Sequence, residues 1–219
     1  MASFLKQELE HNGFIVQNRT NDILIVENFL SKEELSEIFN IINITPEEDW
    51  HIEYHKNLKI FCMEKFGRDD IDNLVSEGKF EITQNWEDKN FDISNKNISR
   101  ILHNRLNKLI RNLNKTIELI GFATIQRMQE GVELKSHTDQ HTDPSIEYAA
   151  IIYLNNDYVN GELFFEHMDI ELKPNPGSLL LFPGNDKYEH GVRHVGKGPV
   201  RYVLVGFIKK VSFYENNKY

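Results

Sequence analysis

The stretch EYAAIIYLNNDYVNGELFFEHMDIELKPNPGSLLLF, Glu147–Phe182, decides the fold. Within it EYAAIIYL, ELFFE, IELK and SLLLF are short runs rich in β-branched, aromatic and aliphatic residues. Turn formers separate them, at Asn155–Asn156, Asn160–Gly161 and Pro174–Gly177. Working outward, the same texture begins at Gly121 with FATIQRM and VELKSH and closes with RYVLVGFI, with further turn signals at Pro183–Gly184 and Gly196–Pro199. Short strands at this spacing predict an antiparallel barrel or jelly roll over residues 121–211.

The preceding half reads differently. Ile23–Val26 is an apolar strand, and Ser31 followed by Glu34 is a capping-box pattern opening a helix whose apolar positions are Leu35, Ile38, Phe39 and Ile42. Ile98–Ile120 carries Ile101, Leu102, Leu106, Leu109, Ile110, Leu113, Ile117 and Ile120 at helical spacing, which predicts a second, longer helix. Residues 45–99 are polar and irregular, with Trp50, Phe61, Phe66, Phe80 and Trp86 among charges; short strands and a lid are both compatible with them. The expected fold class is therefore α+β, mainly β, with N-terminal helices packed on one face of the β core. At 219 residues the chain suits one domain, 1–219, made of a helical and lid region (1–120) and the β core (121–211).

Composition excludes several classes. Net charge is −9, and no Lys/Arg run offers the clustered cations that non-specific nucleic-acid binding needs. The lone cysteine, Cys62, cannot form an internal disulfide and reads as a small buried apolar residue. The N-terminus MASFLKQELEHNG lacks an apolar signal core, and no stretch approaches membrane-spanning length. A cytoplasmic protein is expected.

The chemistry concentrates in the second half. LKSHTDQHTD holds two His-x-Asp pairs, His137/Asp139 and His141/Asp143; residues two apart on a strand share a face, so either pair could offer an imidazole and a carboxylate to one ion. His190, with His194 nearby, follows in YEHGVRHV, and Arg201 opens the last strand. Two histidines and one carboxylate leave coordination positions open, the arrangement that suits non-haem Fe(II), and an arginine can grip a distal carboxylate bidentately. HIEYH, His51–His55, spaces two histidines four apart, but the glutamate stands in the middle rather than directly after the first histidine as in zinc hydrolases.

From about Phe122 to Ile208 the order of motifs resembles the 2-oxoglutarate/Fe(II) dioxygenase superfamily in its prolyl 4-hydroxylase-like branch. The matching elements are Gly131 six residues before His137, HTD at His137–Asp139, YLN at Tyr153–Asn155 and NGELFF at Asn160–Phe165. PNPGSLLLF at Pro174–Phe182, HGVRHV at His190–Val195 and GPVRY at Gly198–Tyr202 follow, and ENFLSKEEL resembles that branch's opening strand and helix. The resemblance implies a double-stranded β-helix (jelly-roll, cupin-like) core. It also implies His137, Asp139 and His190 as iron ligands, Arg201 on the far carboxylate of 2-oxoglutarate, and Tyr153 adding a hydroxyl to it. The interval from Gly131 selects His137/Asp139 over His141/Asp143, and the H-x-V-x-x-V pattern selects His190 over His194. Three departures stand out. His194 occupies a position where the branch often has proline. An extra residue between His190 and Arg201 suggests a bulge at Gly198–Pro199. No tyrosine lies near Gln126–Met128, where Arg127 is the nearest polar substitute.

By the same resemblance the cofactors are Fe(II), 2-oxoglutarate and O2, with ascorbate as an optional addition. The products are a hydroxylated C–H bond, succinate and CO2. A prolyl residue in a peptide or protein is the leading substrate; a free amino acid or small metabolite is the alternative, and a non-catalytic jelly-roll metal- or ligand-binding module is the alternative of another class. Nucleic-acid demethylases of the superfamily usually carry a second arginine six residues after the first, where this chain has Phe207. Oligomeric state leaves no trace in the sequence.

Overall fold

Along β7 (Ile146–Tyr153) successive side chains serve two different cores. Tyr148, Ala150 and Ile152 enter one, and Ala149, Ile151 and Tyr153 the other, because side chains alternate across a strand. A strand covered on both faces reads as an unbroken apolar run, which is what makes this segment so legible. In the computed structural model, which describes residues 2–54, 87–113 and 116–210, β7 is a central strand of the larger of two sheets.

In chain order the elements are α1 (Ala2–His11), β1 (Ile15–Asn18), β2 (Leu24–Glu27), α2 (Lys32–Ile44), β3 (His51–Tyr54), β4 (Glu87–Asp92) and α3 (Asn97–Leu113). Then come β5 (Ile117–Met128), β6 (Leu134–His137), the single turn α4 (Asp139–Thr142), β7, β8 (Leu163–Phe165), β9 (Ile170–Leu172), β10 (Leu179–Pro183), β11 (His190–Val192) and β12 (Arg201–Lys210). The major sheet runs β1-β2-β10-β7-β12-β5-β4-β3 and the minor sheet β6-β11-β8-β9, with every pairing between neighbouring strands antiparallel. This is the expected mainly-β jelly roll with helices on one face. Leu5 and Leu9 of α1, Ile38 and Ile42 of α2, and Leu102, Leu106 and Ile110 of α3 bury against the outer face of the major sheet. The inner face meets the minor sheet through Tyr153, Leu163, Phe165, Leu180, Phe182 and Val203.

The helices are held at their ends by polar contacts. Ser31 Oγ accepts from the Glu34 amide at 3.1 Å and the Glu34 carboxylate accepts from the Ser31 amide at 2.9 Å, so the capping box forms as its sequence predicts. The same Glu34 carboxylate pairs with Arg105 of α3, whose guanidinium also donates to the Phe29 carbonyl at 2.7 Å. This contact ties α2, α3 and the β2–α2 turn together.

The expected helix over Ile98–Ile120 is corrected at its end. α3 stops at Leu113, and Ile117–Ile120 open β5 opposite Phe207–Lys210 of β12. Helical spacing and strand alternation overlap for a short apolar run, and ladder pairing with the final strand wins: Ile117 and Leu119 are both buried in the sheet. Asn107 Oδ1 accepts from the Leu119 amide at 3.3 Å, fixing the junction. A bulge follows between Val205 and Phe207, where Gly121 adopts φ +61°. A Cβ on Gly206 would lie 2.1 Å from the Gly121 carbonyl oxygen, so only glycine permits this approach. Ile101, assigned to the buried stripe of α3, is 39% exposed.

Part of the irregular 45–99 region is strand. β3 and β4 pair with each other and β4 with β5, extending the major sheet on its β5 side. In HIEYH, His51–Tyr54 is the strand β3. His55, Cys62, Phe61, Phe66, Phe80 and Trp86 lie outside the described residues.

Candidate active site

The last residue of β6 is His137 and the first of β11 is His190, and these two are register partners across the minor sheet. Their rings lie 4.5 Å apart, centroid to centroid. Thr138 stays extended, and α4 then opens on Asp139, which brings Asp139 Oδ1 within 3.8 Å of His137 Nε2. Ligand atoms of His137, Asp139 and His190 all lie within 4.8 Å of one another.

Backbone hydrogen bonds orient both imidazoles so that they could serve as ligands. His137 Nδ1 sits 2.9 Å from the Lys135 carbonyl oxygen and His190 Nδ1 3.1 Å from that of Tyr188. A carbonyl can only accept, so each Nδ1 carries a proton, and in the neutral ring Nε2 is left to present its lone pair. Burial drives the His190 pKa down to about 4, against the backbone hydrogen bond and Glu189, so the ring is neutral at neutral pH. Phe182, 4.6 Å away and edge-on, and Phe165, at 6.2 Å, wall this imidazole in.

Asp139 is the polar residue most out of place. Burial raises its pKa, with His137 opposing, and its Oδ2 is buried with no hydrogen-bond partner among the described residues. A buried carboxylate oxygen without a partner is costly. A cation between the three donors removes that cost, and the set of two imidazoles and one carboxylate fits Fe(II).

Across the inter-sheet space, Arg201 heads β12 and is 1% exposed. Its Nε donates to the Gly161 carbonyl at 3.1 Å and its Nη1 contacts Met128 Sδ at 3.4 Å. No carboxylate among the described residues pairs with it. Two phenol rings flank it, with the guanidinium carbon 5.4 Å from the Tyr153 centroid and 5.8 Å from that of Tyr158. Both hydroxyls are buried, and neither proton has an acceptor among the described residues. Burial raises both phenol pKa values, while the Arg201 guanidinium, by its charge and by hydrogen bonding, pulls them back. The pocket thus offers a fixed cation and phenolic donors in low dielectric, a setting that favours an anion.

Other candidates are committed elsewhere. His141 pairs with Asp186 at 3.1 Å on the surface, both residues well exposed. Asp143 accepts from Lys209 at 2.7 Å and from the Ser145 hydroxyl at 2.6 Å; burial pushes its pKa up, but these bonds prevail and hold it at about 2. His194 is exposed on the segment after β11. Arg127 points to the helix-covered face of the major sheet, where it forms a bidentate pair with Glu47 at 2.6 and 2.9 Å and stacks 4.5 Å from the Trp50 ring. It therefore does not substitute for the missing tyrosine. The extra residue between His190 and Arg201 is absorbed by a bend at 197–199 ahead of β12, not by a bulge within a strand. Sequence reasoning overlooked Tyr158. Its one signal is a second tyrosine five residues after Tyr153 and just ahead of the Asn160–Gly161 turn.

Comparisons with known proteins agree with this geometry. Residues 123–209 match the family model of the 2OG-Fe(II) oxygenase superfamily. Prolyl 3-hydroxylase 2 of Homo sapiens is 35% identical over 57 residues, which cover 24% of this chain and 8% of that protein; its Rattus norvegicus counterpart is 33% identical over the same length. The chain thus spans under a tenth of the length of the curated relatives it matches. Among solved structures, a prolyl hydroxylase of Trichoplax adhaerens in complex with a hypoxia inducible factor peptide fragment has a TM-score of 0.65 at 14% identity, covering 100% of this chain and 93% of that one. An oxidoreductase of the 2OG-Fe(II) oxygenase family from Burkholderia pseudomallei gives 0.57 at 16% identity, covering 95% and 90%. A prolyl-4-hydroxylase of Pseudomonas putida gives 0.53 at 14%, covering 96% and 99%. At these identities the structural likeness speaks for the fold.

Proposed function

We propose that this chain, a 2OG-Fe(II) oxygenase by the superfamily its residues 123–209 match, uses Fe(II), 2-oxoglutarate and O2 to hydroxylate a prolyl residue of a peptide or protein. In this reading His137, Asp139 and His190 hold the iron. Arg201 takes the far carboxylate of 2-oxoglutarate, and Tyr153 adds its hydroxyl. Bound iron and keto acid supply the oxygen chemistry, in which oxidative decarboxylation to succinate and CO2 accompanies hydroxylation.

The chain's own residues perform the rest. The backbone carbonyls of Lys135 and Tyr188 lock the two imidazole tautomers. Phe165 and Phe182 exclude water from the His190 side. Arg201, held by Gly161 and Met128, would take a dicarboxylate by its distal end. The observation that carries the reading is the pairing of opposites between the two sheets: a buried three-ligand cation site and a buried arginine with no carboxylate partner among the described residues.

The prolyl substrate is supported by the partial match to prolyl 3-hydroxylase 2 and by the prolyl hydroxylases among the structural neighbours, one of them holding a peptide. These relatives differ in the ring carbon they name, so the reading stops at proline. The test is a library of proline-containing peptides incubated with Fe(II), 2-oxoglutarate and O2. The expected result is O2-dependent succinate with one oxygen atom gained on a prolyl ring. Succinate formation stimulated only by free amino acids or metabolites would overturn the substrate while leaving the chemistry intact.

A further inference from the structure

Tyr158 lies in NDYVNG, the loop that leaves β7 and turns at Asn160–Gly161, both with positive φ (52° and 68°). This turn sets the pocket in two ways. It presents the Gly161 carbonyl to Arg201 Nε, and it lets the Tyr158 ring pass directly over Gly161. A Cβ there would lie 3.1 Å from the ring and 3.2 Å from a Val195 methyl, in a backbone conformation that disfavours side chains anyway. Over the ring sits the Lys173 ammonium, 4.4 Å from the centroid; it also donates to the Tyr158 carbonyl and pairs with Glu162 at 3.8 Å. The ring is fixed and its hydroxyl is buried beside the Arg201 guanidinium, which can only donate to it, so the phenol proton has no acceptor among the described residues.

A buried phenol normally spends its hydroxyl on a neighbour, and leaving it unused costs free energy. Here two such hydroxyls, on Tyr153 and Tyr158, border one guanidinium that lacks a carboxylate. The pocket has donors in surplus and a formal positive charge. A carboxylate, with two oxygens and about four lone-pair sites, can take all three groups at once.

We propose that Tyr158 is a co-substrate-binding residue: its hydroxyl donates to the far carboxylate of 2-oxoglutarate, completing a three-donor clamp with Arg201 and Tyr153. The assignment rests on the reading of the site as a 2-oxoglutarate pocket. Its consequence is selectivity. Tyr158 discriminates between keto acids by the presence of the distal carboxylate, and contributes nothing to one that ends in a methyl group.

The test is equilibrium binding to protein loaded with redox-inert Mn(II), read by titration calorimetry. Tyr158→Phe is compared with wild type for 2-oxoglutarate and for 2-oxobutyrate, which lacks the far carboxylate. The expected result is a Kd for 2-oxoglutarate weakened about tenfold or more, as for loss of one hydrogen bond to a charged group. Affinity for 2-oxobutyrate and for Mn(II) alone stays unchanged, and so does the melting temperature of the unliganded protein. Wild-type affinity for 2-oxoglutarate in Tyr158→Phe overturns the assignment, as does equal weakening for both keto acids or failure of the variant to fold, since each makes the hydroxyl structural. Failure of the wild type to bind 2-oxoglutarate at all sinks the underlying reading, and this assignment with it.

Discussion

Two buried arginines on opposite faces of one sheet are treated in opposite ways. On the helix-covered face, Arg127 is neutralised by Glu47 and stacked on Trp50, so the protein itself answers the charge. On the inner face, Arg201, whose strand partner is Met128, the residue next to Arg127, meets a carbonyl, a thioether sulfur and two phenol rings. The two His-x-Asp pairs repeat the contrast. Asp143 is satisfied by Lys209 and Ser145, whereas Asp139, four residues earlier, keeps a buried oxygen without a partner among the described residues. In the proposed reading the difference separates charges that hold the fold together from charges kept for ligands. Arg201 and Asp139 have opposite signs and share the inter-sheet space, yet no ion pair forms between them. One is fitted to an anion and the other to a cation.

The sharpest way to break this contrast is to exchange the treatment of the two aspartates. Asp139→Ala is expected to abolish succinate formation and to weaken Fe(II) binding by about a hundredfold or more, while the metal-free variant melts no lower than wild type because an unpartnered buried carboxylate is gone. Asp143→Ala should retain most turnover; the reverse ranking in paired assays would reassign the metal site to His141 and Asp143. Next in size is Arg201→Ala, expected to raise the 2-oxoglutarate requirement about a hundredfold with little change in Fe(II) affinity. An unchanged requirement in steady-state titrations would remove Arg201 from its role.

Smaller effects test the structural side of the contrast. The depressed pKa of Asp143 stabilises the fold at pH values above the ordinary carboxylate range and loses that contribution as pH falls towards about 2. Urea midpoints of wild type and Asp143→Asn should therefore differ by a constant amount above pH ~4 and converge below it. A gap that widens on acidification would contradict the assignment of that stability to Lys209 and Ser145. Confined to stability is Glu47→Gln: Arg127, only 8% exposed, loses its carboxylate, so the melting temperature should fall while the 2-oxoglutarate requirement stays untouched.

Legibility in the sequence followed how local the deciding physics is. The capping box at Ser31 and Glu34 and most of the jelly-roll strands rest on near-neighbour patterns and turn residues, so they could be read directly. Residues 117–120 could not, because their strand state comes from pairing with β12, some ninety positions later in the chain. β11 was too short for a periodicity signal; it exists because His190, Gly191 and Val192 fit between β6 and β8. A Cβ on Gly191 would approach the Leu134 carbonyl within 2.5 Å, which is why this position is glycine. The cluster of His137, Asp139 and His190 was suggested by motif order, whereas the burial of Arg201 and the convergence of Tyr158 on it exist only in three dimensions. Arg127 looked like a pocket candidate because strand position alone does not reveal which face is wet or what waits there.

The central claim is that the inter-sheet space holds a cation at His137, Asp139 and His190 and a dicarboxylate keto acid at Arg201. Its most direct measurement is the anaerobic absorption spectrum of the protein with Fe(II), before and after 2-oxoglutarate. The account predicts a visible metal-to-ligand charge-transfer band that grows with 2-oxoglutarate, is absent in Asp139→Ala, and needs far more 2-oxoglutarate in Arg201→Ala. Folded wild-type protein that binds Fe(II) yet gives no band at any 2-oxoglutarate concentration would contradict it.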